Sequence, residues 1–204
     1  MSISEPLSAI RHDTGDPKRL RILEGAYKVF LAYGFTRTTM DDIAKAADLS
    51  RPALYVVFRN KTDIYKAIAR CVMAQCAERA SVALNNDGPL LDRLDRLVEY
   101  ALFDMMREIE DSPHGLELLD MKNSLAGDVI EEWRDKIDGA LEEAIEAETR
   151  TTGVDLASRG FSARTLAQTF FDALDGMKPR LSDPTHHLEA AKRAARMLVA
   201  AIRP

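Results

Sequence analysis

An all-α fold is what this sequence predicts, and three observations carry the prediction. Apolar residues recur at three- and four-residue spacing along most of the chain, and no stretch alternates convincingly with the period of a strand. Capping and breaking residues also cut the apolar stripes into segments of helical length.

The elements follow in order. Residues 1–15 are polar and read as a frayed lead-in. Ile22, Ala26, Val29, Phe30 and Tyr33 then form one stripe of an amphipathic helix, and Gly34 supplies a left-handed stop. Thr39 can cap a short helix, with Asp42 three residues on favouring its positive N-terminus, and Met40, Ile43, Ala44 and Ala47 form its apolar side. Ser50 can cap a second short helix, in which Pro52 is tolerated because first-turn amides have no intrahelical acceptor. Two short capped helices a few residues apart are a helix-turn-helix candidate. Asn60 caps a long helix running to about Asn85, where Asn85-Asn86-Asp87-Gly88-Pro89 breaks it.

Leu90, Leu91, Leu94, Leu97, Val98, Ala101, Leu102, Met105 and Ile109 cover a wide arc of the next helix, which should be largely enclosed and ends at Asp111-Ser112-Pro113. A short helix over about 114–124 leads to another over about 127–150, striped by Ile130, Trp133, Ile137, Ala140, Leu141 and Ala144. After the loop TTGVDLASRGFS come two final helices, about Ser162–Met177 and Pro184–Ile202. Their stripes are Leu166, Phe170, Leu174 and Met177, then Leu188, Ala191, Ala195, Leu198 and Ile202.

Composition narrows the function. The 204 residues are 46% hydrophobic, enough for one or two cores. No run approaches the roughly 18 apolar residues of a membrane span, and the first residues lack a basic-then-apolar signal pattern, so a cytoplasmic location is expected. Cys71 and Cys76 lie five apart on one helix, a rise of about 7.5 Å that exceeds disulfide reach, and read as small buried hydrophobes rather than a redox pair. His186 and His187 have no second pair at metal-ligand spacing, and no Gly-rich phosphate loop or nucleophile-base grouping exists. Neither a metal, nor another cofactor, nor an enzymatic activity is expected. Residues 1–66 carry eleven Lys/Arg against eight Asp/Glu within a chain of net charge −5. A basic N-terminal third in an acidic chain is the asymmetry expected when that third meets a polyanion.

The stretch RILEGAYKVFLAYGFTRTTMDDIAKAADLSRPALYVVFRNKTDIYKAI resembles the DNA-binding domain of the TetR family of bacterial regulators. The resemblance is carried by Gly34-Phe35, Thr38-Thr39, Ile43-Ala44, Ala47, Ser50 and the Leu54-Tyr55, Phe58, Lys61 run. Asp48 stands where the family usually has Gly, and an aspartate can take the left-handed conformation at modest cost. The resemblance implies about nine helices: a helix-turn-helix DNA-binding domain at 16–66 and a ligand-binding and dimerisation domain at 67–204. The partners it implies are a palindromic double-stranded operator, a small-molecule ligand, and a second copy docked through the last two helices. The function expected is a repressor released from DNA by that ligand. A ligand-independent repressor and a helical protein-interaction module remain as alternatives.

The candidate DNA contacts are Thr39, Arg51, Pro52, Ala53, Tyr55, Lys61, Lys18 and Arg19. Arg51 suits a bidentate contact with guanine, and Ala53 could meet a thymine methyl. By resemblance Tyr55 contacts phosphate or base, and Thr39 and Lys61 contact phosphate. Lys18 and Arg19 could reach a flanking phosphate or the minor groove. The other readings are that Thr39 is a helix cap, Tyr55 packs between the short helices and Arg51 is solvated, with Leu54 and Phe58 as core. For the ligand, Tyr100, Phe103, Met106, Met121, Trp133, Phe170 and Phe171 are candidate lining, with His114 and Arg134 as polar groups or solvent-facing residues.

Overall fold

The computed structural model describes residues 8–11, 16–177 and 184–203, without the side chains at 105, 106, 108, 121–123, 184 and 185. Every regular element among the described residues is helical. A turn of helix, α1, occupies residues 8–11, followed by α2 (Pro17–Tyr33), α3 (Met40–Ala46), α4 (Arg51–Tyr55) and α5 (Lys61–Leu84). Next come α6 (Leu90–Arg96), a π-helical stretch (Leu97–Phe103), α7 (Asp104–Glu110), α8 (Gly115–Thr152), α9 (Ala163–Met177) and α10 (Pro184–Ala201). No described helix is long and apolar enough to cross a membrane.

The chain forms two compact units. One runs to Cys76 and includes Asp104–Trp133, and the other comprises Ala77–Phe103 and Arg134 onward. A cut at residue 66 falls inside α5, a continuous helix whose Ala67, Ile68, Cys71 and Val72 belong to the same core as Ile22, Phe30 and Leu54.

In the first unit, α2 starts from an Asp16 cap and presents Ile22, Leu23, Ala26, Val29 and Phe30 inward. Tyr33, expected on that stripe, is 63% exposed, because it sits in the last turn where the chain leaves the core at Gly34. The lead-in is not wholly apart from this core. Ala9 and Ile10 of α1 are buried in it, and Arg11 donates to Glu24 of α2 at 2.6 Å. Helices α2 and α3 approach closely at Gly25, where a β-carbon would lie 3.0 Å from the backbone of Ala46 and Ala47.

Helix α3 ends in a Schellman motif. The Leu49 amide donates to Ala44 O at 2.9 Å and the Asp48 amide to Lys45 O at 3.1 Å. Asp48 occupies the left-handed position at φ 53°, and no other non-glycine among the described residues has positive φ. The aspartate therefore does what glycine would do, against the steric cost of its β-carbon.

In the second unit, α9 buries Leu166, Ala167, Phe170, Phe171 and Leu174, while α10 buries Ala190, Ala191, Ala195 and Leu198. Arg134 is engaged within the second unit. Its guanidinium lies over the Phe171 ring and bridges Asp172 at 2.7 Å and Asp175 at 3.0 Å, with Asp138 at 3.4 Å. Lys192 of α10 pairs with Glu99 of the π-helical stretch. That stretch shifts bonding to i→i+5, which moves later side chains off the α-helical register. Leu97, Val98 and Ala101 face inward there, whereas Tyr100 is 56% exposed. The two helices expected either side of residue 125 are one assigned span, but Ala126 at φ −137° and ψ 33° breaks it at that place.

Two substitutions should move stability in opposite directions. Asp48→Gly relieves a left-handed β-carbon and should stabilise by about 1 kcal/mol. Gly25→Ala forces α2 away from the α3 backbone and should cost about 1–3 kcal/mol. Urea denaturation checks both, as midpoint shifts of opposite sign at unchanged slope.

Candidate nucleic-acid interface

The site is built on a five-residue loop, 34–38, between α2 and α3. Gly34, at φ 82°, folds the chain back so that Phe35 inserts beside Phe30 and Tyr65, with ring centroids 5.3 and 5.6 Å away. Tyr65 is itself pinned, its hydroxyl donating to Leu118 O at 2.6 Å, and burial pushes its pKa up to about 12. Thr38 is buried and returns its hydroxyl to Gly34 O at 2.6 Å.

Two side chains from distant sequence then hold the loop. Lys61, in the first turn of α5, donates its ammonium to Phe35 O at 2.7 Å, Thr38 O at 3.0 Å and Thr36 O at 3.1 Å, and lies 4.6 Å from the Phe35 ring centroid. Glu117, in the first turn of α8, accepts from the Thr36 hydroxyl at 2.9 Å and the Thr36 amide at 3.1 Å. Its other oxygen is 3.5 Å from His114 Nδ1. The Thr36 amide above all, then the Thr36 hydroxyl, His114 and Arg37, hold the Glu117 carboxyl below its ordinary value.

Each following helix starts from a local cap. The Asp42 amide donates to Thr39 Oγ1 at 3.2 Å, and the Thr39 amide and hydroxyl donate to the Asp42 carboxylate at 2.9 and 2.6 Å. This reciprocal capping box is the form expected with a carboxylate at the third helical position. Ser50 accepts from the Ala53 amide at 3.3 Å and opens α4, and Asn60 accepts from the Asp63 amide at 2.9 Å and opens α5.

Between those caps α4 buries one side and exposes the other. Leu54 and, after the helix, Phe58 are buried, as expected of core, and Arg19 of α2 lies 4.8 Å over the Phe58 ring. Arg51 and Pro52 are exposed, Tyr55 is 43% exposed and Val56 is 81% exposed. Arg51 stands over the Tyr55 ring at 5.7 Å, and the Tyr55 hydroxyl raises the guanidinium pKa further above its already high value. The outer face thus offers a permanent cation, a phenol and two apolar groups to whatever it meets.

The expected contacts divide on this geometry. Arg51, Pro52 and Tyr55 share the outer face of α4, and Thr39 is exposed at the start of α3. Ala53 is half-buried, as are Lys18 and Arg19, and Arg19 spends its guanidinium face on Phe58. Lys61 has all three ammonium protons on carbonyls, which makes it a positioning residue in this structure rather than a free phosphate donor. Val56 and Glu117 were missed. Val56 sits four residues after Pro52, which a helical projection of the outer face would have shown, whereas nothing local marks Glu117, 81 positions from Thr36.

The candidate ligand residues are scattered. His114 belongs to the first unit, in an open cleft of about 450 Å³ lined also by Ala32, Tyr33, Arg37, Thr38 and Asp42. Phe170 and Phe171 are buried together in the second unit, edge to face at 5.5 Å. Phe103 and Trp133 are half-buried and Tyr100 is exposed, while the side chains of Met106 and Met121 lie outside the described residues.

A capped helix-turn-helix on an all-α scaffold defines a class of DNA-binding protein. Comparison with known proteins makes the class specific. Residues 22–68 match the family model for bacterial regulatory proteins of the TetR family. The HTH-type transcriptional regulator YhgD of Bacillus subtilis is 32% identical over 81 residues, 40% of this chain and 42% of that protein. IcaR of Staphylococcus aureus, a negative transcriptional regulator of the biofilm operon icaADBC, is 27% identical over 85 residues, 42% of this chain and 46% of its own length. The match thus spans less than half of either relative. The fatty acid degradation regulator FadR from Bacillus halodurans shares the fold, with a TM-score of 0.64 at 21% identity over 91% of this chain and 96% of its own. The segment that carries the helix-turn-helix is thus similar to the DNA-binding part of TetR-family regulators.

The Glu117 clasp sets a pH dependence. Its carboxyl is depressed in the folded state, so its contribution is complete above the unfolded value of 4.5 and is lost as pH falls through the lower folded value. The stability difference between the native protein and Glu117→Gln should therefore be largest above pH 4.5 and shrink below it, read from urea midpoints along a pH series. A difference independent of pH would show that the carboxylate charge plays no part in holding the loop.

Proposed function

We propose that this chain is a homodimeric transcriptional repressor that grips a palindromic operator and is released from it by a small-molecule ligand. The observation that carries the reading is the outer face of α4, where Arg51 and Tyr55 stand free of the core that Leu54 and Phe58 anchor. Such a helix can enter the major groove, with Arg51 aimed at guanine O6 and N7. Thr39 and Tyr55, both exposed, are the proposed phosphate contacts, and Lys61 serves them by fixing the loop that ends at Thr39.

Dimerisation is assigned to α9 and α10. They pack on each other, and α10 leaves Met197 73% exposed on the same side as the exposed Arg193 and Arg196. A two-fold arrangement would set two α4 helices about 34 Å apart, one turn of DNA. The ligand is assigned to the second unit, with Phe103, Phe170 and Phe171 as apolar lining, and it releases DNA by preferring a state in which the heads no longer match the operator. The cytoplasm is where such a protein meets its DNA. IcaR's designation as a negative regulator supports repression.

Selection from random duplex DNA should enrich a palindrome, and Arg51→Ala should weaken its binding by about tenfold or more per half-site in fluorescence anisotropy. Light scattering should give a dimer that Met197→Asp splits. No enriched duplex, or an Arg51→Ala protein that binds as the native one does, would refute the reading.

A further inference from the structure

Among the described residues, Val56 is the most exposed of the large hydrophobic side chains, at 81%. It directly follows α4 with helical dihedrals, φ −65° and ψ −30°, so it continues the helical surface. Positions four apart on a helix are neighbours, which sets Val56 beside Pro52 and Tyr55 beside Arg51. Leu54 and Phe58 are buried and lie off this face. The outer face therefore has two adjoining rows, one cationic and aromatic, the other apolar.

Isolated exposed apolar residues are ordinary. An apolar row beside a permanent cation on a helix built to enter a groove is a more specific pattern. Among the base edges of the major groove, one group is apolar, the C5-methyl of thymine. Ala53, the residue whose type first suggested a thymine contact, is half-buried and its amide is committed to the Ser50 cap. Val56 has a larger apolar end and nothing covering it.

We infer that Val56 is a specificity-determining residue that reads the methyl group of one thymine in each operator half-site. The inference rests on the DNA-binding reading above and adds to it a base, a groove edge and the side chain that meets it. A valine offers no hydrogen bond, so the preference it creates is for the methyl itself and not for the adenine-thymine pair as such.

Replacing thymine by uracil removes that methyl and leaves pairing intact, which isolates the contact. The full-length protein is used to select a duplex, and each thymine of the half-site is then exchanged for uracil in both halves together. Binding is measured by fluorescence anisotropy for the native protein, Val56→Ala and Val56→Thr. Removal of one buried methyl corresponds to about a fourfold loss, hence about fifteenfold for two half-sites. One position should show that loss with the native protein and none with Val56→Ala. Val56→Thr, which keeps the branch but exchanges a methyl for a hydroxyl, should retain part of it.

If the uracil penalty is the same in Val56→Ala as in the native protein, or no thymine position shows one, the inference is overturned while DNA binding stands. If no duplex is enriched at all, the DNA-binding reading falls and takes the inference with it. Unchanged melting midpoints for both variants, expected at so exposed a position, separate a lost contact from a lost fold.

Discussion

The ammonium of Lys61 is the contact on which the binding surface depends. Its three protons converge on the carbonyls of Phe35, Thr36 and Thr38 in the loop before α3. Charge-assisted bonds of this kind are stronger than neutral ones, and an unpaired half-buried carbonyl is costly, so the loop has one favourable place to sit. That place determines where Thr39 stands, hence where the α3 capping box forms and where α3 begins. Phe35, wedged among Phe30 and Tyr65, supplies the apolar half of the same constraint.

Helix α4 inherits its position from this arrangement. Five residues are far too few for a helix to persist alone in water. It exists because Ser50 caps it, because the left-handed Asp48 delivers the chain to that cap, and because Leu54 and Phe58 are held in the core. A strong local rule is violated once in the motif, at Asp48, and the violation leaves the turn intact. The hydrogen-bonding pattern requires a left-handed residue there, and aspartate is among the few side chains that accept the position at modest cost.

What could be read from the sequence alone follows the range of the interactions. The caps at Thr39, Ser50 and Asn60 were legible because each bond spans three residues, and the stops at Gly34 and near residue 126 because local breakers or gaps in periodicity mark them. Leu54 and Phe58 were read as core and are buried, whereas Arg51 and Tyr55 entered through their chemistry and the family resemblance. By contrast, Tyr33 was placed on an inward stripe and Tyr100 among candidate ligand lining, and both are exposed. One lies where the helix leaves its core, the other in a π-helical stretch that buries Leu97, Val98 and Ala101 instead. Long-range contacts left no trace. Nothing near Lys61 says that its charge turns back onto carbonyls more than twenty residues earlier, and nothing near Glu117 points to Thr36.

Those two long-range residues also bear on how a signal could reach the DNA face. A ligand alters affinity only by preferring one arrangement over another, and some element must differ between them. Lys61 opens α5, which begins in the first compact unit and ends in the second, whereas Glu117 opens the part of α8 that precedes the break at Ala126, within the first unit. The loop before α3 is therefore fastened by first-turn side chains of two helices, one of which continues into the second unit. On the ligand-release reading proposed above, a displacement of either first turn would be felt first at Thr36, which both Lys61 and Glu117 contact. The free energy available for that coupling is bounded by a few charge-assisted hydrogen bonds, which is the scale of ordinary allosteric coupling, and no large rearrangement of the core is required.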